Sequence, residues 1–569
     1  MPTDTLQADS ELYRAGGSAF INANDRYTRN YKQLDQQFSE WLTAYKEIAD
    51  YIAIGRGRFA DQGELPNRKT RANSKVINNT ATDALHMLGA GLHGGLSSPA
   101  RPWFQLKFSD PGLNKFSAYR EWLDDCEEVL YAAFKRSNFY TIVHHNYEEV
   151  GGFGTGAMFI DENPKTDILF TCFTAGDYRF SVRGDQYVHD FVRKFKMQAC
   201  QMDLEFGREN LSDKVKNVLQ SNPYDWREVV HYVEPNPDFN PNRMDSFPWR
   251  SVYYEWGEPT KRLRETGYHE MPVVCPRWQA LSNEAYGWGP GLEALGLVKA
   301  IQRMEKQRFI ASDKALDPPL GMPPSMNDRM LDLGPGGRNV FDEAGDRKPY
   351  ALVDIDLRAL EFYGLSIRGY EERVRRMFFN ELFLMIAQEQ PAKMTATEVM
   401  ARQEEKMLML GPVIERLEYE FLDPIVERVF NILMRAGKLP PAPAELSQAE
   451  YKVEYISILA QAQKLINAQS LQGYLGVASQ VAQLDPGTII KTDWDTYLDE
   501  VADTVSLPAK IMRSKEDVEA MRQAAAEKQA EAEQMAKTTQ AYENVKTLSE
   551  TTTDGGSNAL ADVQQSMGA

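Results

Sequence analysis

Two long helical segments flanking a Gly/Pro-rich excursion constrain this chain more than any other feature. The first, 288–315, opens around Gly289-Pro290, with proline at an early helical position where its missing N–H is not needed. Asp317-Pro318-Pro319 stops it. The second starts near Asp356 and runs to about Gln388, and Pro391 ends it. At 1.5 Å per residue they span about 38 and 50 Å. Helices of that length outreach a single domain core, so they predict packing against neighbouring chains. Between them, 320–349 carries the turn Gly334-Pro335-Gly336-Gly337. A third helix opens on Thr395-Ala396-Thr397-Glu398, a capping-box pattern, and reaches Ala436, with Gly437 as its stop. Gly411-Pro412 and Asp423-Pro424 are expected to kink it.

The rest of the chain divides by hydrophobic period. Residues 1–150 read as mainly helical: Leu34, Phe38, Trp41, Leu42, Tyr45 and Ile48 recur at spacings of three and four. Further helices are predicted from Asn79 onward and over 122–134. From about residue 151 the period becomes two. Tyr178, Phe180 and Val182 alternate with Arg179, Ser181 and Arg183. Similar strands are predicted at 157–160, 168–173, 187–195, 228–233 and 251–256, with a helical insert at 200–206. After the Pro-rich break at 439–443 come a short strand, Tyr451–Tyr455, and helices to about Val505. A polar Ala/Gln/Glu/Lys helix follows over 514–548, then a Thr/Gly/Ser/Gln tail over 549–569, expected to be flexible. An antiparallel strand block set among helices predicts the α+β class.

Composition narrows the chemistry. The 569 residues carry a formal net charge of -18. Proteins that grip nucleic acid usually present a basic face, since phosphate neutralisation supplies most of the affinity. This acidic chain does not hold DNA tightly over its whole surface, though it could surround DNA without sticking. Cys126, Cys172, Cys200 and Cys275 form no C-x-x-C pair and read as reduced thiols of an intracellular product. No secretory pattern opens the chain and no apolar run of about 18 residues occurs, so no membrane partner is expected.

The candidate motifs weaken on inspection. Gly89-Ala90-Gly91-Leu92-His93-Gly94 matches the dinucleotide pattern, but that chemistry needs a preceding strand, and 84–88 reads as helix. Close backbone packing at a helix end is the alternative. Gly151-Gly152-Phe153-Gly154-Thr155-Gly156 reads as a flexible turn into a strand. His144 and His145 with Glu148 and Glu149 could place metal ligands on one helix turn, or simply make a polar helix face. There is no phosphate-binding P-loop, no nucleophile elbow and no H-E-x-x-H. No catalytic residue, metal or cofactor is predicted. The charged run 368–376 is either a solvated face with internal ion pairs or the lining of a pore.

Several segments together resemble the head-to-tail connecting protein family, the portals of podovirus-type phages. They are 81–102 with Gly91-Leu92-His93-Gly94-Gly95-Leu96-Ser97-Ser98-Pro99-Ala100-Arg101-Pro102-Trp103-Phe104, then Ser137-Asn138-Phe139-Tyr140, Phe153-Gly154-Thr155-Gly156, Arg277-Trp278 and Tyr286-Gly287. Met394-Thr395-Ala396-Thr397-Glu398-Val399 and Leu410-Gly411-Pro412-Val413 complete the set. Trp288-Gly289-Pro290 departs from the Ser expected before the proline.

The resemblance implies a portal-type ring of identical subunits, typically a dodecamer, at one capsid vertex. Its wing would be 1–287, with the kinked helix 395–440. The stem would be 288–315 and 356–388, the clip 316–355, the tunnel loop 387–394 and the crown region 441–548. Double-stranded DNA would pass through it without sequence reading. The other implied partners are the terminase large subunit, tail adaptor proteins, and the major capsid and scaffolding proteins. Gln388, Glu389, Gln390, Lys393 and Met394 would project into the channel, and Arg368, Glu371, Glu372 and Arg375 would line the stem. Gly334, Gly336, Gly337 and Arg338 would dock the terminase. Twelve chains would bring 12 × 18, or 216, formal negative charges, which suits a lumen where strong phosphate capture would be a fault. The alternatives are an adaptor ring of the same junction, or an enzyme binding phosphate ligands through its Gly-rich turns.

Overall fold

A computed structural model describes residues 25–59, 76–316, 320–321, 350–351, 357–387, 410–443, 451–456, 474–481, 492–505 and 515–550, with 111, 114–115, 185, 259–260 and 283 excepted. Helices α1 (Asp25–Tyr51) and α2 (Thr80–Leu96) precede β1 (Phe104–Phe108), α3 (Ser117–Arg136) and α4 (Phe139–Phe153). The strand block is β2 (Ala157–Asn163), β3 (Asp167–Phe173), β4 (Tyr178–Val182) and β5 (Val188–Gln198). Then come α5 (Ala199–Phe206), α6 (Asp213–Ser221), β6 (Trp226–Pro235), β7 (Trp249–Glu255), β8 (Arg262–Tyr268) and β9 (Val273–Val274). The long helix α7 (Pro290–Leu316) follows, then β10 (Leu320–Gly321), β11 (Tyr350–Ala351), α8 (Leu357–Met377) and α9 (Asn380–Ala387). A π-helical turn, Glu418–Leu422, runs into α10 (Asp423–Arg435). Next are β12 (Tyr451–Tyr455), α11 (Trp494–Val505) and α12 (Lys515–Glu550). The mixture of helices and antiparallel sheet is α+β.

By contacts the chain forms two compact units. The larger takes Met1–Gln105, Glu128–Leu439 and Val453–Thr504; the smaller takes Leu106–Glu127, Pro440–Lys452 and Val505–Ala569. The larger unit is organised by an antiparallel sheet in the order β4-β5-β6-β7-β8. Strand residues alternate between faces, so the consecutive Val229 and Val230 serve different cores. Val230, Tyr232, Val252 and Tyr254 pack with Tyr27 and Leu34 of α1. Val229 packs with Ala199, Met202 and Phe206 of α5 and Val215 of α6. A second sheet, β3-β2-β9, lies where β2 pairs with β3 from Ala157↔Phe173 to Asn163↔Asp167. Asn138, just before α4, clamps β3: its Nδ2 donates to Phe170 O at 2.8 Å, and Phe170 N donates to its Oδ1 at 2.9 Å.

Four sequence expectations need correction. The helix expected over 356–388 is broken. α8 stops at Met377, Phe379 takes φ +56°, and α9 resumes at Asn380. A left-handed non-glycine residue costs roughly 1–2 kcal/mol. Burial of Phe378 and a ring contact between Phe379 and Trp278, centroids 5.9 Å apart, hold the break. The glycine run 89–94 lies inside α2 rather than at its end. A Cβ on Gly91 would fall 2.2 Å from Phe383 Cγ, and one on Gly89 would fall 2.6 Å from Glu148 Cγ. These glycines flatten α2 so that α9 and α4 can approach. Gly151 and Gly152 belong to α4, and the turn begins only at Gly154, with φ +79°. Finally, β8 and β9 extend the strand block beyond the predicted set.

Other expectations match the described residues. α10 ends at Arg435, and Gly437 takes φ +65° while its N–H bonds Met434 O. At Asp423-Pro424, where a kink is expected, the helix continues but carries the π turn immediately before that step. Strand β12 falls on the predicted residues.

Replacing Gly91 with alanine should overpack the α2–α9 contact and cost about 1–3 kcal/mol. Urea unfolding should show the loss. Adding Phe383→Ala should make the alanine at 91 nearly neutral relative to Phe383→Ala alone.

Candidate functional site

The base of α7 is where distant segments meet. Gly154 N bonds Val150 O to cap α4, and Trp278 N donates to Gly154 O at 2.9 Å. Thr155 Oγ1 accepts from Gly287 N at 2.7 Å, and Gly156 N bonds Pro276 O. A Cβ on Gly154 would lie 2.2 Å from Gly287 O, and one on Gly291 would lie 2.0 Å from Gly152 O. Only glycine permits such backbone contact, so the start of α7 is pressed against the end of α4.

Arg277 locks this junction. Its side chain is fully buried, and its partner Glu420 sits in the π turn with a side-chain exposure of 3%. Arg277 Nη2 and Nε donate to Glu420 Oε1 and Oε2 at 2.7 and 3.0 Å, and its backbone N donates to Oε2 at 3.1 Å. Nη1 donates to Glu284 O and Nη2 to Gln186. Arg416 adds a second guanidinium on Glu420 at 2.8 Å. A fork this well satisfied meets the geometric condition for a buried pair to offset desolvation. The π turn fits the need, because the extra residue per turn re-aims a side chain.

A second node joins α2 to the helical pair. Ile77 N and Asn78 N donate to Gln302 Oε1 of α7, and Gln302 Nε2 donates to Asn78 O at 2.6 Å. Asn78 Nδ2 donates to Glu371 Oε1 of α8 at 2.6 Å. Farther along the pair, Tyr363 Oη donates to Gln307 Oε1 at 2.6 Å. Of the four residues expected to line a stem, Arg368, Glu372 and Arg375 are exposed on α8. Glu371 is half-buried and engaged with Asn78. The exposed residues of this pair also include Phe309, Ile310, Leu316, Phe362 and Leu365. Gln388, Glu389, Gln390, Lys393 and Met394 lie outside the described residues, immediately after α9. Gly334, Gly336, Gly337 and Arg338 also lie outside them. The flanks of that segment are tied by β10 and β11, paired Leu320↔Ala351 and Gly321↔Tyr350.

In the histidine–glutamate cluster of α4 the glutamates are buried while the histidines keep part of their rings at the surface. Glu148 and Glu149 are buried, and Arg56 pairs with both. His86 Nδ1 lies 2.5 Å from Glu148 Oε1, with His144 and His145 at 3.6 and 3.7 Å from the same carboxylate. Burial pushes the Glu149 carboxyl up and the His144 and His145 imidazoles down. Among the described residues, no group of three or more His, Cys, Asp or Glu side chains is placed to hold a metal ion. None of the described helices is long and apolar enough to cross a membrane.

Phe153–Gly156, Arg277-Trp278 and Tyr286-Gly287, which meet here, are among the segments that carried the family resemblance, and comparison with known proteins decides the matter. The family model described as bacteriophage head to tail connecting protein matches residues 24–512. The chain belongs to that family. A probable portal protein of Bordetella phage BPP-1 is 35% identical over 538 residues, covering 93% of this chain and 96% of that protein. The portal protein of Salmonella phage epsilon15 is 34% identical over 556 residues, covering 96% and 98%. A solved chain from the neck of an empty GTA particle, computed with C6 symmetry, aligns over 70% of this chain and 86% of its own. Its TM-score is 0.33 at 12% identity, a likeness too loose to define a shared arrangement.

Among the junction residues, Arg277 stood in a recognisable segment, but Glu420, Gln186 and Asn78 carried no sequence signal. Their partners lie 91 to 293 residues away, and periodicity reads only local neighbours. Removing one member of the buried pair should be severe. Arg277→Met should destabilise the fold, by less than the roughly 3–5 kcal/mol of a fully uncompensated buried charge because Arg416 still pairs with Glu420, read as a shift in the urea midpoint. Adding Glu420→Leu should recover part of the loss.

Proposed function

We propose that this chain is the portal subunit of a short-tailed phage. Copies would form a ring, of dodecamer type, at one capsid vertex. Double-stranded DNA would pass through the ring during packaging, be retained, and leave on ejection. What carries the reading is family membership across nearly the whole chain, together with portal-named relatives aligned from end to end. The paired α7 and α8, with exposed apolar side chains along them, support a stem built from neighbouring copies. We assign the chain no catalytic step: it is a conduit, working in the virion after synthesis in the host cytoplasm.

In this reading 1–287 and 395–440 are the wing, 288–315 and 356–388 the stem, and 316–355 the clip that meets the terminase large subunit and later the tail adaptors. The crown region would be 441–548. Capsid and scaffolding proteins would meet the wing. The α8 face bearing Arg368, Glu372 and Arg375 would look into the lumen, while Glu371 braces α2. The segment 387–394 would be the tunnel loop, placed by α9 seated on the glycines of α2. An acidic ring repels phosphate and lets DNA slide, while scattered basic side chains brake it.

Lys393→Glu should leave assembly intact and change DNA retention. Particles carrying it should package or hold less DNA in a nuclease-protection assay, with unchanged portal incorporation. Equal protected DNA in both particles would remove Lys393 from the channel.

A further inference from the structure

Four of the chain's seven histidines, His86, His93, His144 and His145, gather where α2 packs on α4. Three of them converge on one buried carboxylate. His86 Nδ1 lies 2.5 Å from Glu148 Oε1, His144 Nε2 lies 3.6 Å from the same oxygen, and His145 Nδ1 lies 3.7 Å from Oε2. His93 stands next to His144, ring centroids 6.0 Å apart. The carboxylate already has a permanent cation. Arg56 Nη2 pairs with Glu148 Oε2, and Nη1 donates to Glu149 Oε1 at 3.1 Å.

One contact in this cluster requires a neutral imidazole. Arg56 Nη2 lies 3.2 Å from His145 Nδ1, and Nη1 donates to His145 O at 3.2 Å. A guanidinium has only donors, so Nδ1 must accept. A proton on Nδ1 removes that acceptor and sets two cations side by side. It also gives His145 an N–H to offer Glu148 Oε2, the oxygen that Arg56 holds. The His144 and His145 side chains are 32% and 49% exposed, so solvent protons reach them while Glu148 stays buried.

Arg56 anchors the turn that follows α1. Gly57 N donates to Thr174 Oγ1 at 2.7 Å, and Arg58 N donates to Ala175 O at 2.8 Å. Thr174 Oγ1 and Ala175 N in turn donate to Glu149 at 2.8 and 3.0 Å. Burial pushes the Glu149 carboxyl up and Arg56 holds it down, so Glu149 takes a proton once the guanidinium leaves. The Cys172 thiol and the Tyr45 and Tyr178 phenols also face Glu149; burial pushes all three up, and they stay neutral in acid. Arg58 faces Asp177 instead, at 3.9 Å. Burial holds His93, His144 and His145 below the ordinary imidazole value. The closed arrangement therefore binds fewer protons than an open one. It is fully favoured above about pH 6.5 and weakens as the pH falls.

We propose that Arg56 and the histidines of α2 and α4 form an acid-sensitive latch. Closed, Arg56 clamps the turn 52–59 to α4. In acid, His145 and His144 take over Glu148, Glu149 is neutralised, and Arg56 is released with its turn. The latch lies within one chain and is independent of the ring reading above.

Hydrogen–deuterium exchange of the full-length protein tests it, on peptides spanning 52–59 and, for reference, β5 and β6, with intrinsic rates corrected for pH. Samples at about pH 7.5 and about pH 5 bracket the imidazole range. Protection of the Gly57 and Arg58 amides should fall by roughly tenfold per pH unit below about 6.5 for each proton taken up. The reference strands should stay protected. His145→Asn keeps an acceptor but takes no proton, and together with His144→Gln it should keep the turn protected in acid. Arg56→Gln should expose the turn at both pH values. If the double variant loses its circular-dichroism signal, His145→Asn alone serves in its place. Unchanged protection in the unmodified chain would overturn the latch whatever the variants do. An equal acid loss in the histidine variant would overturn it too, and so would an equal loss in β5 and β6, which marks general acid unfolding.

Discussion

The buried ion pair between Arg277 and Glu420 is the interaction on which the arrangement of the larger unit turns. It joins the segment before α7 to the π turn before α10, and through Gln186 it reaches the β4–β5 connection. Three stretches remote in sequence are set against one another by one guanidinium. Glycines at 154, 287, 289 and 291 remove the side chains that would keep them apart. The direction in which α7 leaves the sheet region is therefore fixed by a desolvated charge pair and bare backbone contact. Neither tolerates slippage, since a small displacement would leave a buried charge unpaired.

From that base the rest of the proposed conduit follows by packing. α7 holds α8 along its length. Asn78 ties both to α2, and the glycines of α2 seat Phe383 of α9. The break at Phe378 and Phe379 redirects the chain just before the segment assigned to the channel. A strained backbone residue held by aromatic packing is a defined way to aim a loop, because the strain persists only while the surroundings over-determine it.

What could be read from the residues was what is local. Three- and four-residue spacing exposed α1, and two-residue alternation exposed most of the sheet. Proline and glycine marked the limits of α7 and α10. Strand β8 was hidden because Arg262, Arg264 and Glu265 stand where an alternating strand would show apolar residues; it is an edge strand with one side near solvent. The break in the second long helix carries no glycine or proline, because Trp278, about a hundred residues earlier in the chain, imposes it through tertiary packing. Glycine motifs were legible as motifs, but not as helix interiors, because their partners Phe383 and Glu148 lie elsewhere in the chain. The burial of Glu148 and Glu149 beside the histidines of α4 was illegible for the same reason: their partner Arg56 lies 93 residues before Glu149.

The family rests on sequence; the ring is the physical claim that gives the stem, the acidic lumen and the exposed helices their meaning. The most direct measurement is the mass and image of the purified full-length protein, by native mass spectrometry and electron microscopy. A closed ring with a central hole and a mass near twelve times 64.7 kDa is expected. A compact monomer of 64.7 kDa at micromolar concentration would contradict it.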